Sequence, residues 1–112
     1  YTARSLDQSQ RKGRRMSTYV VLANYTERGI QNIRDSPQRL DAVRGQLEQM
    51  GGALRSFYLT MGEYDIVFVF EAPDDAIASR FLLLLGQAGY VRTTSMKAFP
   101  EAAYREIIHS LG

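Results

Sequence analysis

Met61-Gly62-Glu63-Tyr64-Asp65-Ile66-Val67-Phe68-Val69-Phe70 joins a tight polar turn to a run that is apolar at every position. A strand with one solvated face alternates apolar and polar residues. This run does not alternate, so both of its faces call for cover. Ala53 to Thr60 precedes it as a second strand-like run, with Met61 to Tyr64 as the connection and Asp65 to Glu71 as the following strand. The centre of the chain is therefore a hairpin with a two-sided apolar arm.

The flanking segments read outward from that hairpin. Thr18 to Tyr25 is β-branched and aromatic, which suits a first strand. Thr26 to Asp35 reads as a polar loop containing Gly29, and Ser36-Pro37 as a helix N-cap followed by proline at the first helical position. Leu40, Val43, Leu47 and Met50 then share one helical face, and Gly51-Gly52 ends that helix. Beyond the hairpin, Pro73-Asp74-Asp75 opens another helix that runs to Gly89. Its Phe81-Leu82-Leu83-Leu84-Leu85 core has no polar side, which predicts cover from the sheet and from another subunit. Tyr90 to Phe99 reads as a fourth strand. Pro100 starts a last helix with Tyr104, Ile107, Ile108 and Leu111 on one face.

The order β-α-β-β-α-β-α predicts an α+β fold of the ferredoxin-like βαββαβ type with a C-terminal helix. Right-handed crossovers give a four-stranded antiparallel sheet of order 4-1-3-2. Two helices cover only one face of such a sheet. The two-sided strand then predicts a second copy stacked on the other face, a homodimeric α/β barrel.

Composition narrows the functional classes. A chain of 112 residues supports one domain. With no cysteine, a disulfide scaffold, a thiolate zinc site and a cysteine nucleophile are excluded. A single histidine, His109, argues against a histidine metal cluster or a Ser-His-Asp triad, and its place near the chain end reads as a surface or helix-end residue. The expectation is no metal and no cofactor. No apolar run approaches the roughly 20 residues that span a bilayer, and the first segment lacks the apolar core of a signal peptide. A soluble, cytoplasmic protein is expected. Arg4, Arg11, Lys12, Arg14 and Arg15 against Asp7 give residues 1–15 a net +4, so residues 16–112 carry −2 of the chain's +2. The basic arm is read as a flexible extension, as residues upstream of a start at Met16, or as residues added to the natural chain. Nucleic-acid contact through Arg11 to Arg15 is the lesser reading. Residues 16–112 form the domain, in which Met16, Met50, Met61 and Met96 read as core filler.

The chain resembles the GYD-domain family, small bacterial and archaeal proteins of uncertain function. The resemblance covers about residues 17–110. It is carried by Tyr25-Thr26 with Gly29, Asn32-Ile33 and Asp35-Ser36-Pro37, then Phe57 to Asp65, then Glu71-Ala72-Pro73-Asp74-Asp75. Glu63 separates Gly62 from Tyr64, so the signature here reads Gly-Glu-Tyr-Asp. The resemblance implies a fold similar to the dimeric α/β-barrel superfamily and implies no catalytic residues.

In the expected topology the Thr26 to Asp35 loop, the Met61 to Tyr64 turn and the Gly89-Tyr90 turn meet at one sheet edge. Tyr25, Arg28, Asn32 and Arg39 would then approach Glu63, Tyr64, Asp65 and Arg92, and Tyr58 is counted with them as a ligand or interface residue. Each has a plainer role: Gly62 for positive φ, Asp65 for turn N–H groups or pairing with Arg28 or Arg39, Tyr64 for a subunit boundary, Asn32 for a local turn. Glu63 has no evident structural task; enclosed in an apolar barrel it would act as a proton donor or base. The leading expectation is a homo-oligomeric module binding a small molecule or partner at the subunit interface. The alternative is a cofactor-independent isomerase or oxygenase acting on a small aromatic or carbonyl compound.

Overall fold

The computed structural model describes residues 16–112; the expectations for residues 1–15 lie outside it. Strand β1 (Ser17–Tyr25) leads to a short helix α1 (Glu27–Gln31), a 3-10 turn (Ile33–Asp35) and helix α2 (Ser36–Gln49). Strands β2 (Ala53–Leu59) and β3 (Ile66–Ala72) form the hairpin. Helix α3 (Asp75–Ala88), strand β4 (Val91–Ala98) and helix α4 (Glu101–His109) complete the chain. The sheet is antiparallel throughout, with order β2-β3-β1-β4, which is the expected 4-1-3-2 read from its other edge.

Two local expectations need correction. The segment read as a loop holds a helix, capped by the Thr26 hydroxyl, which accepts from Gly29 N–H. Ser36 is the first residue of α2 rather than its cap, and its hydroxyl instead meets the Tyr25 hydroxyl at 3.2 Å. At α3 the cap is Asp74, whose carboxylate accepts from Ile77 N–H at 2.8 Å, and Gly89 ends the helix in the left-handed region as expected.

Strand alternation sorts the sheet into two faces. Tyr19, Val21 and Ala23 of β1 and Ile66, Phe68, Phe70 and Ala72 of β3 are buried beneath α2 and α3. Their core joins Leu47 of α2 to Ala78 and Phe81 of α3. Phe70 stacks on Tyr19 with ring centroids 5.0 Å apart and meets Phe81 edge-on at 4.9 Å, favoured geometries for aromatic pairs.

Among the described residues the opposite face has no layer of its own. Cross-strand register lines up Tyr58, Val67, Leu22 and Thr94 in one row and Ser56, Val69, Val20 and Met96 in the next. Val20, Leu22, Val67 and Val69 are only half-buried, and Tyr58 and Met96 are exposed. Helix α4 buries no residue, and Tyr104, Ile107, Ile108 and Leu111 all face outward. Of the four methionines only Met50 packs against the core; Met61 is fully exposed, and Met16 and Met96 are exposed as well. Leu83 of α3 also faces solvent. Among the described residues no helix is long and apolar enough to cross a membrane.

Candidate functional site

The end of the sheet where β1 finishes gathers most of the polar residues singled out from the sequence. Thr26 N–H donates to the Tyr90 carbonyl at 3.0 Å, and the Thr26 hydroxyl donates to the Gly89 carbonyl at 2.6 Å. These bonds clamp α1 against the α3–β4 junction. Gly29 makes the clamp sterically feasible, because a Cβ at that position would run into the Tyr90 carbonyl oxygen.

Tyr90 is the centre of the cluster. The Arg28 guanidinium lies 4.3 Å from its ring centroid and the Arg39 guanidinium 4.1 Å from it. Both are within cation–π range, and the flat guanidinium suits such stacking. Arg28 also donates to the Ala88 carbonyl at 2.9 Å and to the Tyr90 hydroxyl at 3.0 Å. Arg39 donates from Nη1 to the Asn32 carbonyl at 2.9 Å, while Asn32 donates its side-chain amide to the Arg28 carbonyl. Among the described residues neither arginine has a carboxylate within ion-pair distance. Arg39 Nη2 is shut from solvent and has no hydrogen-bond partner among the described residues. Leaving a buried donor unmade costs roughly 1–3 kcal/mol, more when it is charged.

Beneath this cluster lies a cavity of about 260 Å³, between the sheet and the two long helices. Helix α2 packs chiefly on β2 and α3 on β3 and β4, and the two helices scarcely meet, which leaves the slot open. Ala23, Ile66 and Phe68 form its floor, Leu40, Val43 and Leu85 its walls, and Tyr25, Ser36, Arg39 and Tyr90 supply its few polar atoms.

The other expected site residues disperse. Asp65 is a brace: its carboxylate accepts from Tyr25 N–H at 3.0 Å, and its own N–H reaches the Ala23 carbonyl and Asn24 Oδ1. It pairs with neither arginine. Gly62 takes φ +144°, a left-handed value that suits glycine. The Thr60 hydroxyl donates to the Tyr64 carbonyl at 2.6 Å, while the half-buried Tyr64 ring lies outside the cavity lining. Glu63 is exposed at the hairpin tip and also lies outside that lining, so this chain does not give it the enclosed setting that a proton-transfer role requires. Arg92 donates to the Gly86 and Val91 carbonyls, and Tyr58 stands on the open sheet face. Tyr90 was missed as a site residue. Its position just after a helix-ending glycine, at the edge where the loops meet, was the available signal.

A second polar constellation sits at the opposite end. The Tyr19 hydroxyl donates to Asp75 at 2.6 Å, and Lys97 Nζ lies 3.0 Å from the same carboxylate. Burial first, then the bond to Asp75, pushes the Tyr19 hydroxyl up to about 12. The bond from Tyr19, followed by that from Lys97, lowers Asp75 below its ordinary value. Among the described residues no group of three or more histidine or carboxylate side chains could hold a metal ion.

Comparison with known proteins places these features in context. A family model described as the GYD domain matches residues 19–108. Over 88 residues, the chain is 35% identical to a protein of Thermus thermophilus named glutamine synthetase and cystathionine beta-lyase binding protein, covering 78% of this chain and 93% of that one. Among solved structures, the fold is similar to a feast or famine regulatory protein from Mycobacterium tuberculosis complexed with L-methionine, with TM-score 0.58 and 20% identity over 88% of this chain. It is also similar to a leucine response regulatory protein of the same organism, with TM-score 0.50, 20% identity and the same coverage of this chain. The chain spans 58% and 59% of the length of those two.

Proposed function

Since this chain belongs to the GYD-domain family, we propose that it is a homodimeric binding module that engages other proteins, with its binding surface formed at the subunit interface. The observation that carries this is an apolar face that no described element covers: Val20, Leu22, Val67, Val69, Tyr58 and Met96 form one contiguous patch. Four strands spaced by about 4.8 Å and some 20 Å long present only about 400 Å² of flat sheet. A stable interface buries about 800 Å² per partner, so the sheet alone falls short. Helix α4 supplies a second apolar strip, Tyr104, Ile107, Ile108 and Leu111, at the end of edge strand β4. Sheet stacked on sheet, with α4 laid across the partner, covers both surfaces in a single arrangement. The name of the Thermus relative supports a partner-binding role, with glutamine synthetase as the first partner to test.

Size-exclusion chromatography with light scattering tests the assembly. The expected mass is twice that of the chain, falling to one chain in Val67→Lys and shifting toward monomer when α4 is removed. A stable wild-type monomer at micromolar concentration overturns the dimer. Calorimetric titration into purified glutamine synthetase tests the partner; saturable binding that is lost in Val67→Lys is expected. An intact dimer with no binding retains the assembly and rejects that partner.

A further inference from the structure

We propose that the cavity between the sheet and helices α2 and α3 is a binding site for a neutral, bicyclic aromatic molecule. Such a site needs neither a second copy nor a partner protein, because it lies on the helix-covered side of the sheet, and so it goes beyond the partner-binding reading. Protein interiors hold few voids larger than a water molecule, yet about 260 Å³ stays open here. Small side chains border it on three elements: Ala23 of β1, Ala42 of α2 and Ala88 of α3. A dry apolar cavity of roughly 150 Å³ holds benzene, so the larger volume has room for another fused ring. The floor is a sheet and the walls are two helices that scarcely meet, a slot suited to a flat guest entering between them. Phe57 and Phe68 line it from the sheet, and Tyr25 and Tyr90 line its polar end. Aromatic side chains receive a flat ring edge-on or offset-stacked, with more attraction than the buried area alone supplies.

The lining also decides the charge. Almost every atom facing the cavity is carbon. The charged groups around it are committed elsewhere. Arg39 Nη1 donates to the Asn32 carbonyl, its guanidinium lies over Tyr90, and Nη2 presents no surface to solvent or to the cavity. Arg28 donates to the Ala88 carbonyl and the Tyr90 hydroxyl. The Tyr25 and Ser36 hydroxyls meet each other at 3.2 Å. An ion of either sign would give up its water and reach no charged partner, whereas a neutral ring exchanges water for dispersion contacts on all sides.

Titration calorimetry of the full chain with naphthalene, benzene, 2-naphthoate and 2-naphthylmethylammonium tests the assignment. Naphthalene is expected to bind once per chain. Benzene, which leaves much of the space unfilled, should bind at least about tenfold more weakly. Both ions should also fall at least about tenfold below naphthalene, since each must be stripped of water. Val43→Phe and Leu85→Trp fill the slot from opposite walls, and each should lower naphthalene affinity at least about tenfold. Thermal melts report whether each variant is folded. An ion that binds as tightly as naphthalene, an affinity unchanged in both filled variants, or no saturable binding of naphthalene up to its solubility limit overturns the assignment. Because the light-scattering and glutamine synthetase measurements use no small molecule, failure here is distinguishable from failure of the binding-module reading.

Discussion

The two ends of the layer between sheet and helices are built from the same elements but packed differently. Where β1 begins, Tyr19, Phe70 and Phe81 interlock, and Val21 and Leu47 are completely buried beside them. Where β1 ends, the helix-side column has shrunk from Tyr19 through Val21 to Ala23, and alanines at 42 and 88 line the gap. Side-chain volume alone would let one more large residue close that gap. The space is kept by small residues on three separate elements and is topped by two arginines. One end therefore carries stability and the other leaves a cavity.

Truncation at the two ends should expose that difference most strongly. Phe70→Ala is expected to lose about 3–5 kcal/mol in urea unfolding, because a completely buried ring leaves a void that its packed neighbours cannot collapse into. Phe68→Ala, two residues along the same strand and already bordering the cavity, should cost clearly less. Equal losses would show that the cavity closes in solution.

A pH titration probes the packed end through Tyr19. Its hydroxyl is raised to about 12 from an ordinary value near 10, so folding favours the protonated form. That stabilisation is complete below about pH 10 and is lost as pH rises toward 12. Tyr19→Phe should remove this part of the alkaline instability, measured as the difference between wild-type and variant unfolding curves from pH 9 to 12. Asp75 has the opposite sense: its lowered value means that its contribution is present above the ordinary carboxylate range and fades as acid protonates it.

Filling experiments give a smaller contrast. Ala78→Leu pushes a large side chain into the tight contact between α3 and β3 and should cost about 1–3 kcal/mol. Ala23→Val adds two methyl groups on the cavity floor and should be neutral or stabilising by up to about 1 kcal/mol. A destabilising Ala23→Val would mean that the floor is already in contact with something.

The packed end was open to sequence reading because its signals are local. The unbroken run Ile66 to Phe70 and the strand-helix alternation predict the sheet order, and Gly89 marks the end of α3. The hollow end was harder because its causes are distant in sequence. Helix α1 is secured by Thr26 and Arg28 bonds to Gly89, Ala88 and Tyr90, more than 55 residues away, and no local pattern in Thr26 to Asp35 encodes those partners. Tyr90 becomes a platform only when Arg28 and Arg39 arrive from another part of the chain. A cavity likewise has no motif, since it is the sum of small residues contributed by separate elements.

The hairpin tip, at the same end of the sheet, should give the smallest effects and separates geometry from chemistry within the signature. Gly62 has open space around its Cα but a φ of +144°, so Gly62→Ala should lose about 1 kcal/mol through backbone strain alone. Glu63 is exposed beside it, and Glu63→Ala should change unfolding free energy by less than about 0.5 kcal/mol. If Glu63→Ala instead weakens glutamine synthetase binding while leaving stability and the dimer unchanged, the carboxylate serves partner recognition. The signature turn would then belong to the partner-binding surface.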